Sequence, residues 1–74
     1  MNILILGSGV VGANLANKLS LQGKNVFLLD EDPNQLKNLS ERYDIKTILD
    51  DPLNPNFYTN FNTEIDYFIA VTKS

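Results

Sequence analysis

Apolar residues in this chain fall into four short continuous runs separated by segments with helical spacing. Asn2 to Leu6, NILIL, is rich in branched residues and closed by glycine, the pattern of a strand buried on both faces of a parallel sheet. From Val10 to Gln22 the pattern turns helical. Val11, Leu15 and Leu19 recur every four residues, Asn14, Lys18 and Gln22 form a polar side, and Gly23 stands where a helix end favours positive φ. Asn25 to Leu29, NVFLL, predicts a second buried strand ending at Asp30.

Asp32-Pro33-Asn34-Gln35 reads as a helix start, with an acidic cap, proline at the first helical position and glutamine three residues after the cap. Leu36, Leu39 and Tyr43 then make the apolar stripe of a second helix running to about Tyr43. Ile45 to Leu49 predicts a third strand. Asp51 to Pro55 has loop chemistry, and Asn54-Pro55 opens a helix of one or two turns carrying Phe57, Tyr58 and Phe61. These aromatics read as packing residues rather than a base-stacking platform. Ile65 to Val71, IDYFIAV, predicts the fourth strand, and the segment Phe68 to Thr72 is expected to present an apolar sheet edge.

Strands alternating with helices at this spacing imply right-handed βαβ units and a Rossmann-like doubly wound parallel sheet. The expected strand order is 3-2-1-4, truncated relative to the full fold, in a single domain over residues 1–74. Such an order reverses direction beside the first strand, and ligands of doubly wound sheets bind in the crevice formed there. No repeat, linker or low-complexity tract divides the chain.

Gly7-Ser8-Gly9-Val10-Val11-Gly12 fits G-x-G-x-x-G, a weak signal alone. Its context strengthens it: a strand before, a helix after, a second strand following, and Asp30 at that strand's end, 18 residues beyond Gly12 (30 − 12). In this reading Gly7 makes the tight turn, Gly9 lets a pyrophosphate approach the backbone, and Gly12 brings the helix close to the sheet. The phosphates then meet free N–H groups and the positive end of the helix dipole. Asp30 would accept hydrogen bonds from the adenosine ribose hydroxyls. With Glu31 and Asp32 following and no arginine nearby, a 2′-phosphate is disfavoured, so NAD⁺ or NADH is expected over NADP(H). ATP and ADP present the same adenosine and phosphate groups. A Walker P-loop is excluded, because Ala13-Asn14 stand where its lysine and hydroxyl residue would be. Three alternatives remain open on these residues alone: a glycine turn that binds nothing, Asp30 as a polar strand end, and Asp50-Asp51 as an ordinary turn.

The chain of 74 residues has no cysteine and no histidine, which removes thiol chemistry and the commonest general base and transition-metal ligand. A net charge of −3 with scattered lysines argues against a nucleic-acid partner. No segment has the length of an apolar membrane span, and the first residues lack a charged region leading into an apolar one. A cytoplasmic protein without direct membrane insertion is expected.

ILGSGVVGANLANKL, then VFLLDEDPNQLKNL, the Asp51 and Pro55 region, and Asp66 with FIAVT resemble the N-terminal part of the TrkA-type regulatory domain of potassium transporters and channels, also called the RCK or KTN domain. The resemblance spans all 74 residues but about the first half of that family's domain. It implies an adenine-facing role for Asp51, with Asp50 and Pro52 replacing the family's usual glycine and alanine. It also sets Ala70, Val71 and Thr72 near the ribose and pyrophosphate. The expected function is non-enzymatic: a nucleotide-binding module regulating potassium uptake, working as a dimer or higher homo-oligomer with a membrane transporter subunit, peripheral to the inner face of the membrane. The alternatives are the cofactor-binding fragment of an NAD-dependent dehydrogenase, which would need a substrate segment and an acid or base absent here, and a degenerate module serving only oligomerisation.

Overall fold

The computed structural model describes residues 1–71. Strands β1 (Asn2–Leu6), β2 (Asn25–Asp30), β3 (Lys46–Leu49) and β4 (Tyr67–Ala70) alternate with helices α1 (Val10–Leu21), α2 (Pro33–Arg42) and α3 (Pro55–Asn60). All strand pairs are parallel and the sheet order is β3-β2-β1-β4, as the alternation predicts. The chain steps outward from β1 to β3 and then crosses back to lay β4 against the other side of β1. This makes the β1–β4 junction the switch point, at the end of the strands where Leu6 pairs with Leu29 and Ala70.

Two apolar layers hold the sheet. Ile3, Ile5, Val26 and Leu28 meet α1 and α2 through Ala13, Ala16, Leu36 and Leu39, while Leu4, Phe27 and Leu29 meet Phe57 of α3 on the opposite face. Burial on both sides explains why β1 and β2 read as unbroken apolar runs. The aromatic layer is tight: Phe57 stacks on Phe61 at a centroid distance of 5.0 Å, and Phe61 meets Phe27 edge-on at 5.6 Å. Tyr58 stands at the margin of this layer: its ring meets Phe57 edge-on at 5.0 Å, while it is 40% exposed and its hydroxyl donates to the Pro52 carbonyl at 2.7 Å.

The stripe expected on α1 is rotated. Gly12, Ala13 and Ala16 face the sheet, Leu15 and Leu19 pack only partly against the core, and Val11 is 66% exposed. A four-residue spacing drifts by about 40° per step around a helix of 3.6 residues per turn, so Val11 and Leu19 do not share a face with the sheet. Small residues occupy that face because the start of α1 lies against the strand-end backbone.

The caps follow the sequence with one difference. Asp32 Oδ1 accepts from the N–H groups of Asn34 and Gln35 at 3.0 and 3.3 Å, Asn54 caps α3 through Asn56, and Gly23 takes φ +83° beyond α1. The reciprocal bond of a capping box is not made. Gln35 Nε2 instead donates to the Ser8 carbonyl at 2.9 Å, and the Asp32 N–H donates to Asp30 Oδ1 at 2.9 Å.

Strand limits also tighten. Ile45 lies before β3 with its N–H bonded to the Tyr43 carbonyl, and Ile65 packs beneath α3's layer as a loop residue. Asp66 ties the start of β4 to β1: its carboxylate accepts from the Asn2 N–H at 2.7 Å, and its N–H donates to the Asn2 carbonyl at 2.8 Å. Beyond β4, the Val71 N–H still donates to the Leu6 carbonyl at 2.9 Å. The expected apolar edge is present over Tyr67 and Phe68, both more than half exposed, whereas Thr72 lies outside the described residues.

Candidate nucleotide-binding site

The chain leaves β1 at Gly7, whose φ of +104° suits glycine and whose N–H donates to the Leu29 carbonyl at 2.8 Å. A Cβ there would collide with the carbonyl oxygen of Val71, and a Cβ on Gly12 would collide with the carbonyl oxygen of Gly7. Two glycines of the motif are thus demanded by packing alone. Gly9 differs: it caps α1 with φ −61°, an ordinary value for any residue, and a Cβ on it would find nothing within 4 Å. Neither backbone nor packing requires glycine at this position.

The N–H groups of the first turn of α1 precede the helical ladder, which begins with Ala13 donating to the Gly9 carbonyl at 2.9 Å. Gly9 offers no side-chain cap to these groups. They carry the positive end of the helix dipole and open where the missing Cβ leaves space.

Asp30 ends β2 beneath this loop and is 5% exposed. Its Oδ2 accepts from both the N–H and the hydroxyl of Ser8, each at 2.7 Å, and its Oδ1 accepts from the Asp32 N–H. Ser8 itself is 2% exposed, so the carboxylate meets the hydrogen-bonding needs of a buried serine and compensates its own burial through charge-assisted bonds. Gln35 closes the arrangement from α2 by holding the Ser8 carbonyl. Glycine loop, β2 end and α2 start form one hydrogen-bonded unit.

A cleft of about 390 Å³ opens at the switch point, between Leu6 and Gly7, Asp30 and Glu31, and Ala70 and Val71. Pro52 and Leu53 of the loop after β3 line it as well. A smaller hollow of about 130 Å³ shares Asp30 with it and reaches Ser8, Gly9 and Gln35. Of the residues singled out from sequence, Gly7, Ser8, Gly9, Asp30, Glu31, Ala70 and Val71 are gathered around these two spaces. Val10 and Val11 stand exposed at the head of α1, and Gly12 is buried behind the turn. Asp51 is exposed and does not line the cleft; its Oδ1 accepts from the Leu53 N–H at 2.9 Å. Thr72 lies outside the described residues.

Sequence reading missed Leu6, Pro52, Leu53 and Gln35. An apolar leucine inside the polar stretch Asp50 to Pro55 was a visible signal for the cleft wall. Gln35 gave none, because its spacing from Asp32 was accounted for by the cap. Among the described residues, no group of three or more histidine, cysteine, aspartate or glutamate side chains is placed to hold a metal, and no helix is long and apolar enough to cross a membrane.

The fold is that of the NAD(P)-binding domain of an exopolyphosphatase-related protein from Archaeoglobus fulgidus, which superposes with a TM-score of 0.88 over 97% of this chain and 54% of that one at 20% identity. At that identity the likeness concerns the fold. Among curated proteins, the chain is 33% identical to the Trk system potassium uptake protein TrkA of Haemophilus influenzae and 35% identical to that of Halomonas elongata. A third protein of the same name, from Vibrio alginolyticus, is 28% identical. Each match covers 100% of this chain and 16% of the relative, so the chain corresponds to a small part of those proteins' length. Residues 3–74 match the sequence profile of the TrkA-N domain, and the chain belongs to that family.

Proposed function

We propose that the chain is a non-enzymatic nucleotide-sensing module of a potassium uptake system, with NAD⁺ or NADH as its ligand and ATP or ADP as the competing adenine nucleotides. The observation that carries this reading is Gly9, the one glycine of the motif with no conformational or packing reason to lack a side chain. Open space before unladdered N–H groups fits a pyrophosphate. Gly7, Ser8 and Gly9 border it, with Val10, Val11 and Gly12 continuing the first turn of α1.

Asp30, with Glu31 beside it, serves the ribose. A ribose hydroxyl would meet a carboxylate whose Oδ2 already accepts two bonds from Ser8 and whose Oδ1 accepts one from Asp32. Ala70 and Val71 carry the ribose and pyrophosphate on the β4 side, and the base falls to the Asp51–Leu53 loop. The acidic cleft wall disfavours a 2′-phosphate, since none of the described residues lining it is a lysine or arginine. The family membership and the naming of the relatives support a place in potassium transport. In that place the module works as a homo-oligomer at the cytoplasmic side of a transporter subunit. Bound nucleotide acts there through its differential affinity for two states of the assembly.

A calorimetric panel of NAD⁺, NADH, ATP and ADP with NADPH as control tests the reading. Saturable binding of at least one of the first four, with NADPH weaker than NADH, is expected. Absence of binding for all of them refutes it, and steady NADH production from NAD⁺ with a 2-hydroxy acid replaces it with the dehydrogenase-fragment reading.

A further inference from the structure

Side chains from two elements grip Ser8. Its N–H and hydroxyl both donate to Asp30 Oδ2 at 2.7 Å, and its carbonyl accepts from Gln35 Nε2 at 2.9 Å. The Asp30 bonds fix the serine itself but leave its carbonyl free to turn about the Cα–C bond. Gln35 supplies the hold on the peptide that follows.

That hold acts where the backbone is most permissive. The missing Cβ of Gly9 leaves room for a phosphate, and it also gives the Ser8–Gly9 peptide a wider range of backbone angles than a residue with a side chain would allow. Carbonyl and N–H of a planar trans peptide point in opposite directions, and the described residues contain no cis peptide bond. With the Ser8 carbonyl drawn toward α2, the Gly9 N–H is turned away from α2.

Gln35 is itself anchored on both sides. Its backbone N–H donates to Asp32 Oδ1 at 3.3 Å, the Asp32 N–H is tied to Asp30 Oδ1, and the neighbouring Leu36 is buried in the core. The glutamine side chain spends nothing on the helix cap; it crosses to the loop and borders the hollow lined by Ser8, Gly9, Asp30 and Asp32.

We propose that Gln35 is a positioning residue for nucleotide binding: by holding the Ser8 carbonyl it sets the Ser8–Gly9 peptide, so that the loop meets the pyrophosphate already in its binding conformation. The proposal rests on the nucleotide reading above. A loop ordered before the ligand arrives spares binding the cost of ordering it.

Calorimetry of NAD⁺ with the 74-residue chain and its Gln35→Met variant, well below the melting temperature of each, tests this beside the amide spectrum of the nucleotide-free proteins. Methionine keeps the reach, neutrality and helix preference of glutamine and removes its donor. The Gly9 amide resonance should be displaced in the variant, the melting temperature should fall by no more than a few degrees, and NAD⁺ should bind about three- to tenfold more weakly, the scale of one net hydrogen bond. Gln35→Glu, whose acid suits the start of a helix, should bind at least as weakly while holding its melting temperature.

A bond that merely pins α2 would lower the melting temperature of Gln35→Met and leave its affinity at the parent's, and that result overturns the proposal. So does an unmoved Gly9 resonance, or weakening confined to Gln35→Glu, which reports charge alone. In each of these the parent still binds NAD⁺ and the nucleotide reading stands. A parent chain that binds no NAD⁺ overturns both.

Discussion

Ser8 donates both its backbone N–H and its hydroxyl to the same oxygen of Asp30, each at 2.7 Å, and both residues are buried. The acidic end of β2 is therefore a structural support of the glycine loop before it is a ligand for anything. A ribose role for Asp30 would share a carboxylate whose Oδ2 already accepts two bonds and whose Oδ1 accepts one.

Asp30→Ala should consequently lose stability as well as affinity. It strands the Ser8 N–H and hydroxyl in a buried site, a cost of about 2–4 kcal/mol, and weakens NAD⁺ binding by about 1.5–3 kcal/mol. Urea denaturation and calorimetry measure the two separately. A stability change below about 0.5 kcal/mol would show that the Ser8–Asp30 unit does not support the loop.

Gly12→Ala should destabilise by at least about 1–3 kcal/mol, because the new Cβ meets the backbone carbonyl of Gly7, which cannot rotate aside as a flexible side chain would. Thermal denaturation reads the result. An unchanged melting temperature would mean that α1 does not lie as close to the strand-end turn as described here.

The fold was legible in the sequence because a parallel sheet buried on both faces writes continuous apolar runs, and β1 and β2 have them. Glycine spacing and Asp30 pointed to residues that line the cleft and the hollow beside it. The face of α1 was not legible: the close approach at Gly12 puts Ala13 and Ala16 where larger apolar residues would be sought, and alanine carries little signal in a hydrophobic pattern. Gln35 escaped for a different reason, since its bond to Ser8 spans 27 residues and a local cap explained its identity equally well. Leu53 stands exposed, so its signal was not a burial pattern but its apolar character within the polar stretch Asp50 to Pro55.

Phe57→Ala should cost about 3–5 kcal/mol, since this is the buried side chain of α3 on the Leu4, Phe27 and Leu29 face. Loss of the Phe57–Phe61 stack adds to the cavity. Retention of native stability in denaturant would show that the second layer contributes little.

The β4 edge predicts association. Phe68 is 57% exposed on a strand with one hydrogen-bonded neighbour among the described residues, and such edges pair with other chains. Sedimentation should show self-association that grows with protein concentration and is reduced by Phe68→Lys, a charge of the kind that blunts exposed edges. A strict monomer at millimolar concentration would remove the assembly from the account.

The most direct test of the nucleotide reading is calorimetric titration of NAD⁺ into the Gly9→Val variant beside the unchanged chain. Open space around Gly9 and its ordinary φ predict that the variant keeps the fold, with a melting temperature within a few degrees of the parent's. The branched side chain would then fill the phosphate approach, and binding should fall below detection. A folded variant that binds NAD⁺ as tightly as the parent would contradict the account.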